Sequence, residues 1–355
     1  MRISPINYNI FTAKRDYKNN LIDYSRYRVP VSDTVTFTAQ PPKTYTAIGK
    51  SAVTRLAGMG IRCLCCGKKM IDPTEISRMD TEGIFKGPSD KILKSLQRFE
   101  SYMHPIERQV FRLLKKLHQE FPEKNLAQLL QTQKQTLEIK LIQQQCDVFG
   151  KIYDYARKSL SQEKIDEISL IINDAFAEIY SKDPNVSFSR KKFLGLIYKV
   201  TRNISKTHQD NLSELAEQLP SSQDQFEAFV IKYSRKQNRE IALRLIQKSV
   251  GTIEHIKPRA DGGEDHIYNY AIECAKDNGE RGCNSMIEQI RRNPDMPQNA
   301  QRQIDQIIAL VNKGECSIDA EYVRQIKGAL FRESGGIIDL DISRLKTDLP
   351  PKEIY

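Results

Sequence analysis

The sequence predicts an α+β protein that is mostly α, in which a small strand-and-helix core is split by a helical-bundle insertion. Three observations predict this architecture. Residues 250–256 are rich in side chains that favour a β-strand. After a connector at 72–87, apolar side chains show helical spacing almost without interruption up to residue 249. Two groups of cysteines, at 63–66 and 274–283, lie on either side of this helical stretch and predict that its two ends meet.

The segment that follows the helical stretch predicts the order strand, turn, strand, helix. Pro258 ends the first strand of residues 250–256, and the double glycine at 262–263 supplies a turn. Residues 267–270 then form a short return strand. The amphipathic run 286–291 is expected to form a helix after the second group of cysteines.

The helical stretch itself is expected to form a bundle, because its apolar faces need partners. Prolines divide it into helices of ordinary length, with breaks at Pro105, Pro122, Pro184 and Pro220. One helix, at about 189–206, carries a basic stripe made of Lys192, Lys199, Arg202 and Lys206. Such a stripe is either a track for a phosphate backbone or a solvated face, and the sequence leaves both interpretations open.

The two cysteine-containing segments together resemble the HNH endonucleases, the ββα-metal nuclease superfamily. The matching residues of the downstream segment are Glu254, His255, Pro258, Gly262, Gly263, Asn269, Cys274, Cys283 and Asn284. Upstream, Cys63 and Cys66 followed by Gly67 match the Cys-x-x-Cys-Gly of many family members. The chain departs from the family pattern at three points. Glutamate stands where aspartate is commoner, the last two cysteines lie further apart than usual, and a long insertion separates the halves.

The resemblance implies a catalytic site for phosphodiester hydrolysis. His255 would be the general base that activates water, because the ordinary pKa of histidine lies near neutral pH. Glu254 and the side-chain oxygen of Asn284 would hold one divalent ion, expected to be Mg²⁺, and Asn269 would orient the loop that carries His255. Neighbouring strand residues point to opposite faces, so Glu254 and His255 share a site only where the strand ends or bulges. The alternative role for Asn284 is to cap the following helix.

The resemblance also implies a structural metal site whose ligands are Cys63, Cys66, Cys274 and Cys283. Four thiolates suit tetrahedral Zn²⁺, which has no open position in such a site and performs no chemistry there. Cys65 offers another pairing within the first group of cysteines. The remaining interpretation is that these residues are ordinary buried thiols without a metal.

The composition of the chain indicates which binding partners and which cellular compartment to expect. The net charge of +10 and the pI of about 9.1 favour polyanionic partners, nucleic acid in general and DNA in particular. Seven cysteines, an odd number, suit metal binding in a reducing compartment better than a disulfide framework, so a cytoplasmic protein is expected and a secreted effector is the alternative. The sequence has no apolar run of membrane-spanning length and no hydrophobic signal region, so no membrane partner is expected.

These patterns predict five regions in chain order. They are a disordered N-terminal arm (1–50), the zinc-knuckle half of the core (51–72), the helical insertion (73–248), the catalytic half of the core (249–293), and C-terminal helices with a tail (294–355). The function that the resemblance implies is a metal-dependent HNH-type endonuclease acting on DNA. The alternative is a non-catalytic zinc-stabilised module that binds nucleic acid or protein, and a toxin or secreted effector nuclease is a third possibility.

Overall fold

The computed structural model describes residues 45–181, 188–223 and 225–346, with the side chains of residues 45–48 left out. Of the residues that the structure describes, 66% are helical, and these residues include one small antiparallel sheet, which confirms the prediction of an α+β fold that is mostly α. Most of the predicted disordered arm lies outside the described residues. Its last six positions, from Tyr45 onward, instead begin the first helix.

In chain order the helices are α1 (Tyr45–Gly58), α2 (Pro73–Thr81), α3 (Ser89–Leu96), α4 (Pro105–Glu120), α5 (Leu126–Gln131), α6 (Lys134–Ser159), α7 (Gln162–Ile179), α8 (Arg190–Thr201), α9 (Lys206–Glu217), α10 (Phe226–Tyr233), α11 (Asn238–Gln247), α12 (Ala275–Arg281), α13 (Met286–Arg292), α14 (Met296–Lys313) and α15 (Ala320–Glu333). The strands are β1 (Gly251–His255) and β2 (Tyr270–Cys274). None of the helices in the described ranges combines the length and the apolar content needed to cross a membrane.

The sheet is a regular antiparallel pair. Gly251 is opposite Cys274 at one end and His255 is opposite Tyr270 at the other, with every residue between them paired in register. The predicted return strand at 267–270 lies further along the chain: Ile267–Asn269 form a 3-10 turn, and β2 begins at Tyr270. The chain then continues directly into α12, which was not predicted, and the predicted helix at 286–291 is α13. Helix α1 packs closely on the sheet, because a Cβ atom added to Gly251 would lie 2.6 Å from the Cβ atom of Ala57.

The knuckle that carries the first cysteines is a tight turn beside the sheet. The N–H of Cys63 donates to Lys68 O at 2.8 Å, and the N–H of Gly67 donates to Cys63 O at 3.0 Å. Gly67 has a φ of +66°, a left-handed conformation that glycine adopts without strain. A side chain at this position would also collide with Asn299 of α14, which approaches the turn from the other side.

The predicted helical insertion is present and contains two hydrophobic cores. One core joins α2–α5 and the start of α6, at Leu137, to α10 and α11, and the other joins the rest of α6 to α7–α9. Pro105 is the first residue of α4, as its position at a predicted break suggests. The insertion therefore packs mainly on itself, in two bundles of short helices.

The two ends of the insertion meet at the edge of the core. The N–H of Ile71 donates to Ser249 O at 2.9 Å, and the N–H of Gly251 donates to Ile71 O at 3.0 Å. Ile71 and Val250 form a parallel β-bridge as a result. The chain thus leaves the core and returns to it at adjacent positions.

The C-terminal helices belong to the same core as the sheet. Residues of α1, the knuckle, both strands, α13, α14 and α15 form one hydrophobic cluster. Gln303 of α14 donates to Arg62 O at 2.6 Å and to Ile272 O at 2.9 Å, and the hydroxyl of Tyr322 donates to Tyr270 O at 2.8 Å. Helices α14 and α15 therefore support the strands directly.

Candidate metal centre and candidate active site

Four donor groups from distant parts of the chain converge at the end of β2. The sulfurs of Cys63, Cys66 and Cys274 and a carboxylate oxygen of Asp277 all lie within 4.8 Å of one another. Asp277 Oδ2 is 3.1 Å from Cys63 Sγ and 3.2 Å from Cys274 Sγ, and the sulfurs of Cys66 and Cys274 are 3.9 Å apart. Three thiolates and one carboxylate are a donor set that suits tetrahedral Zn²⁺.

Local structure explains why these four groups meet. The knuckle turn brings Cys63 and Cys66 to one side, and the N–H of Cys274 donates to Cys63 Sγ at 3.3 Å. Cys274 ends β2 and is the N-cap of α12, so Asp277 follows it by three residues. Residues three apart at the start of a helix lie on the same face. Each half of the cluster is therefore a pair of donors separated by two residues.

The fourth ligand differs from the prediction. Cys283 is exposed and lies outside the cluster, because α12 ends at Arg281 and Gly282 turns the chain away with a φ of +55°. Cys65 is also outside: its carbonyl accepts from Asn299 Nδ2 at 2.7 Å on the opposite side of the knuckle. Asp277 takes the place expected for Cys283. The spacing Cys274-x-x-Asp277, which repeats the spacing Cys63-x-x-Cys66, is the sequence signal that points to it.

Burial disfavours the charged forms of these donors as long as no cation lies between them. Burial raises the pKa of the Cys63 thiol well above its usual range and raises the pKa of Asp277 to about 6. A hydrogen bond from Cys274 is the largest effect that lowers the pKa of Cys66. A divalent ion would stabilise the deprotonated form of all of them at once. The donor set therefore fits a structural zinc ion.

His255 lies at the opposite end of the sheet, at the surface. Its Nε2 atom is 2.7 Å from Asp265 Oδ1, and its ring meets the ring of Tyr270 edge-on at a centroid distance of 5.1 Å. The side chain is 17% exposed. Asp265 also accepts from Arg259 Nη2 at 2.7 and 2.9 Å, and Lys50 Nζ lies 3.5 Å from its Oδ1 atom. A histidine, a carboxylate and two cations thus form one surface cluster.

The surroundings of His255 adjust its proton affinity in opposing directions. Burial lowers the pKa of His255 below its ordinary value of 6.5, while the hydrogen bond to Asp265 raises it in part. Burial alone would raise the pKa of Asp265, but hydrogen bonds from His255 and Arg259 hold it well below its usual range. Asp265 is therefore ionised and His255 is neutral at pH 7. The sequence motif does not identify Asp265, Arg259 and Lys50 as a group, since only the folded loop brings them together.

Glu254 points away from His255, into the protein. The register of β1 and β2 is regular at these two positions, so no bulge turns the side chains to a common face. Glu254 is buried and forms an ion pair with Arg281, which also donates to His255 O at 2.9 Å and to Ile256 O at 2.7 Å. Burial raises the pKa of Glu254, and Arg281 opposes the rise. The predicted convergence of Glu254 and His255 on one metal ion is not present.

The two predicted asparagines have different surroundings. The Asn269 side chain accepts from Lys257 N at 2.8 Å and donates to Lys257 O at 3.1 Å and to Glu264 O at 2.9 Å, so it holds the loop next to His255. Asn284 contacts Arg281 through its backbone, where its carbonyl accepts from Arg281 Nε at 3.2 Å. Ser285, and not Asn284, caps α13.

The candidate metal centre and the His255 cluster are separated by the length of β2. This strand begins at Tyr270, against His255, and ends at Cys274, a donor of the cluster. Four steps along a strand span roughly 13 Å, so the two sites are distinct. Comparison with protein-family models, curated proteins and solved structures found no match to this chain. Any function must therefore be inferred from the geometry of the two sites.

Proposed function

We propose that the protein is an HNH-like endonuclease that hydrolyses phosphodiester bonds of DNA, with His255 as the general base. The observation that carries this proposal is the hydrogen bond between His255 and Asp265 at the exposed end of β1, with Arg259 and Lys50 beside it. The resemblance of the Glu254-His255 segment to HNH nucleases and the net charge of +10 support it.

The hydrogen bond assigns the proton on His255. Ionised Asp265 only accepts, so its 2.7 Å contact favours the tautomer with the hydrogen on Nε2 and the lone pair that a base needs on Nδ1. Arg259 Nε also lies 3.3 Å from Nε2, but it has a shorter partner in Asp265 Oδ1 at 3.0 Å, which leaves Nε2 free to donate. Deprotonation of a water by Nδ1 would place a positive charge on the ring, and Asp265 would stabilise that charge.

The cations beside Asp265 would bind the substrate phosphate. Lys50 and Arg259 both lie beside Asp265 and place two positively charged groups close to His255. Positive groups fixed close to a scissile phosphate stabilise the negative charge that develops during hydrolysis. Asn269 would keep the loop of Arg259 in place through its hydrogen bonds to Lys257 and Glu264.

The zinc ion and the predicted Mg²⁺ ion have different support. Zinc on Cys63, Cys66, Cys274 and Asp277 would join the knuckle to the end of β2 and the start of α12, and it would take no part in hydrolysis. The residues predicted for Mg²⁺ do not fit that ion, because the Glu254 carboxylate is buried against a guanidinium and Asn284 meets the same arginine. We therefore derive no catalytic step through Mg²⁺ at these residues.

The experiment that tests the proposal is nicking of supercoiled plasmid by wild type, His255→Ala and His208→Ala. His208 is a matched control in α9 that hydrogen bonds to Tyr155 at 2.9 Å, within the second helical core. Each protein is assayed with and without Mg²⁺, and its zinc content is measured. Cleavage by wild type and the His208 variant, with loss of about 10²- to 10⁴-fold in the His255 variant, is expected for removal of a general base. Equal cleavage by all three proteins would remove His255 from the mechanism.

One observation favours a second function, a non-catalytic zinc-stabilised module that binds nucleic acid. The ion pair with Arg281 takes Glu254 out of reach of a catalytic metal ion. If the protein only binds, wild type leaves plasmid intact but retards DNA on a gel, and His255→Ala retains that binding. Binding through surface cations would weaken steeply with salt.

A further inference from the structure

A residue of the helical insertion reaches the candidate metal centre. His104, the N-cap of α4, is only 4% exposed. Its Nε2 atom lies 3.7 Å from Cys274 Sγ, and its Nδ1 atom lies 3.3 Å from Lys68 Nζ. Lys68 closely follows the knuckle cysteines, so the ring lies between the knuckle and Cys274. His104 is therefore in contact with the centre although no sequence pattern connects them.

The lysine determines which nitrogen of the ring carries the hydrogen. An ammonium group has three donors and no acceptor, so Nδ1 of His104 must accept from Lys68. The hydrogen of the neutral ring then lies on Nε2 and points to the Cys274 sulfur. A distance of 3.7 Å is within the range for an N–H donor to sulfur, whose radius is larger than that of oxygen.

Charge balance gives this contact a role. Three thiolates and one carboxylate carry four negative charges, and a divalent ion cancels two of them. Two lysines lie near the two negative charges that the ion does not cancel. Lys68 acts through His104, and Lys276 Nζ lies 3.7 Å from Asp277 Oδ1. Buried charge needs such compensation, because its desolvation is costly. Groups that hydrogen bond to metal ligands typically change metal affinity by about 10- to 100-fold.

We propose that His104 is a positioning residue of the metal centre, which donates a hydrogen bond to the metal-bound sulfur of Cys274 and so couples docking of α4 to metal retention. The insertion is then part of the metal site and not only an addition to the core. A partner that moved α4 away from Lys68 and Cys274 would weaken the hold on the ion. This inference does not depend on nuclease activity.

The test uses cobalt as a spectroscopic probe in the full-length protein. Co²⁺ is bound to wild type, His104→Ala, His104→Gln and the remote control His208→Ala, and the sulfur-to-cobalt charge-transfer band is recorded. Zinc affinity is measured by competition with a chromophoric chelator. We expect His104→Ala to shift the band and weaken zinc binding by about 10- to 100-fold. His104→Gln, whose amide can still donate, restores much of both, and His208→Ala matches wild type.

A second pair of variants separates this role from simple packing. Lys68 is half-buried and its neighbour Lys69 is exposed, so Lys68→Met and Lys69→Met change the same charge with little effect on the core. We expect Lys68→Met to shift the cobalt band in the same direction as His104→Ala and Lys69→Met to leave it unchanged. The proposal is overturned if both His104→Ala and Lys68→Met keep the wild-type band and zinc affinity, or if wild type binds no cobalt.

Discussion

Asp277 lies one turn of α12 after Cys274, and its Oδ2 atom is 3.2 Å from the Cys274 sulfur. This relationship makes the aspartate the fourth donor of the candidate metal centre and leaves Cys283, which is exposed, outside it. The Asp277 side chain is buried, so its carboxylate faces the three sulfurs and not bulk water.

The first prediction concerns zinc content. Asp277→Ala should release zinc and lower the melting temperature, because metal binding and folding are coupled. Cys283→Ser should keep one zinc per chain, since its side chain is exposed. The measurement is zinc per chain after dialysis, together with thermal unfolding. The opposite pattern, with zinc lost in Cys283→Ser and kept in Asp277→Ala, would restore the four-cysteine site.

The second prediction concerns the pH dependence of cleavage. The base form of His255 increases as pH rises through its pKa, which burial lowers, so the acid limb of the rate profile should have its midpoint below 6.5. Asp265 raises that pKa, so Asp265→Asn should move the midpoint further down as well as slow the reaction. Arg259 lowers the pKa, so Arg259→Gln should move the midpoint up. Initial nicking rates across the pH range measure all three. Shifts in the reverse directions would show that another group titrates.

The third prediction concerns the buried ion pair of Glu254 and Arg281. Their side chains are 6% and 0% exposed, so Arg281→Met leaves a carboxylate buried without its partner. The expected loss is about 3–5 kcal/mol in the free energy of unfolding. The double variant Glu254→Gln with Arg281→Met should recover part of it. Urea unfolding measures these values, with Arg292→Met as a surface control that loses at most about 1 kcal/mol. Equal effects of the two arginine variants would contradict a stabilising role for the buried pair.

The fourth prediction concerns the independence of the second helical core. Phe149 is almost fully buried, and its ring lies 5.2 Å from that of Phe176 and 5.0 Å from that of Phe193. Phe149→Ala should destabilise α6–α9 by about 3–5 kcal/mol. Zinc content should not change, because the metal ligands belong to another core. Tyr153→Ala, on the exposed side of the same helix, serves as the control. Loss of zinc from Phe149→Ala would mean that the cores unfold together.

The parts of the fold that the sequence predicts are those with local causes. The strand before Pro258, the knuckle around Gly67 and the helix start at Pro105 follow from backbone restrictions of single residues. The resemblance to the HNH nucleases implies a zinc site shared by the two cysteine groups, and on that ground the sequence predicts Cys63, Cys66 and Cys274 together.

The parts that the sequence does not predict depend on where an element begins or on a loop. Because α12 starts directly after Cys274, Asp277 and not Cys283 faces the cluster. Because β1 continues without a bulge to His255, Glu254 is turned into the core. Asp265 reaches His255 only after the loop between the strands has folded. The two residues are ten positions apart in the sequence, and no pattern there indicates that they are in contact.

The bridge between Ile71 and Val250 gives the fold a modular character. Since the chain departs and returns at neighbouring points, a different helical cassette could be grafted between them while the strands keep their register. Recognition of a substrate or partner could then diversify without rebuilding the core. Such a graft must satisfy one condition in this chain: it has to bring its own hydrogen-bond donor to Cys274, because His104 would leave with the original cassette.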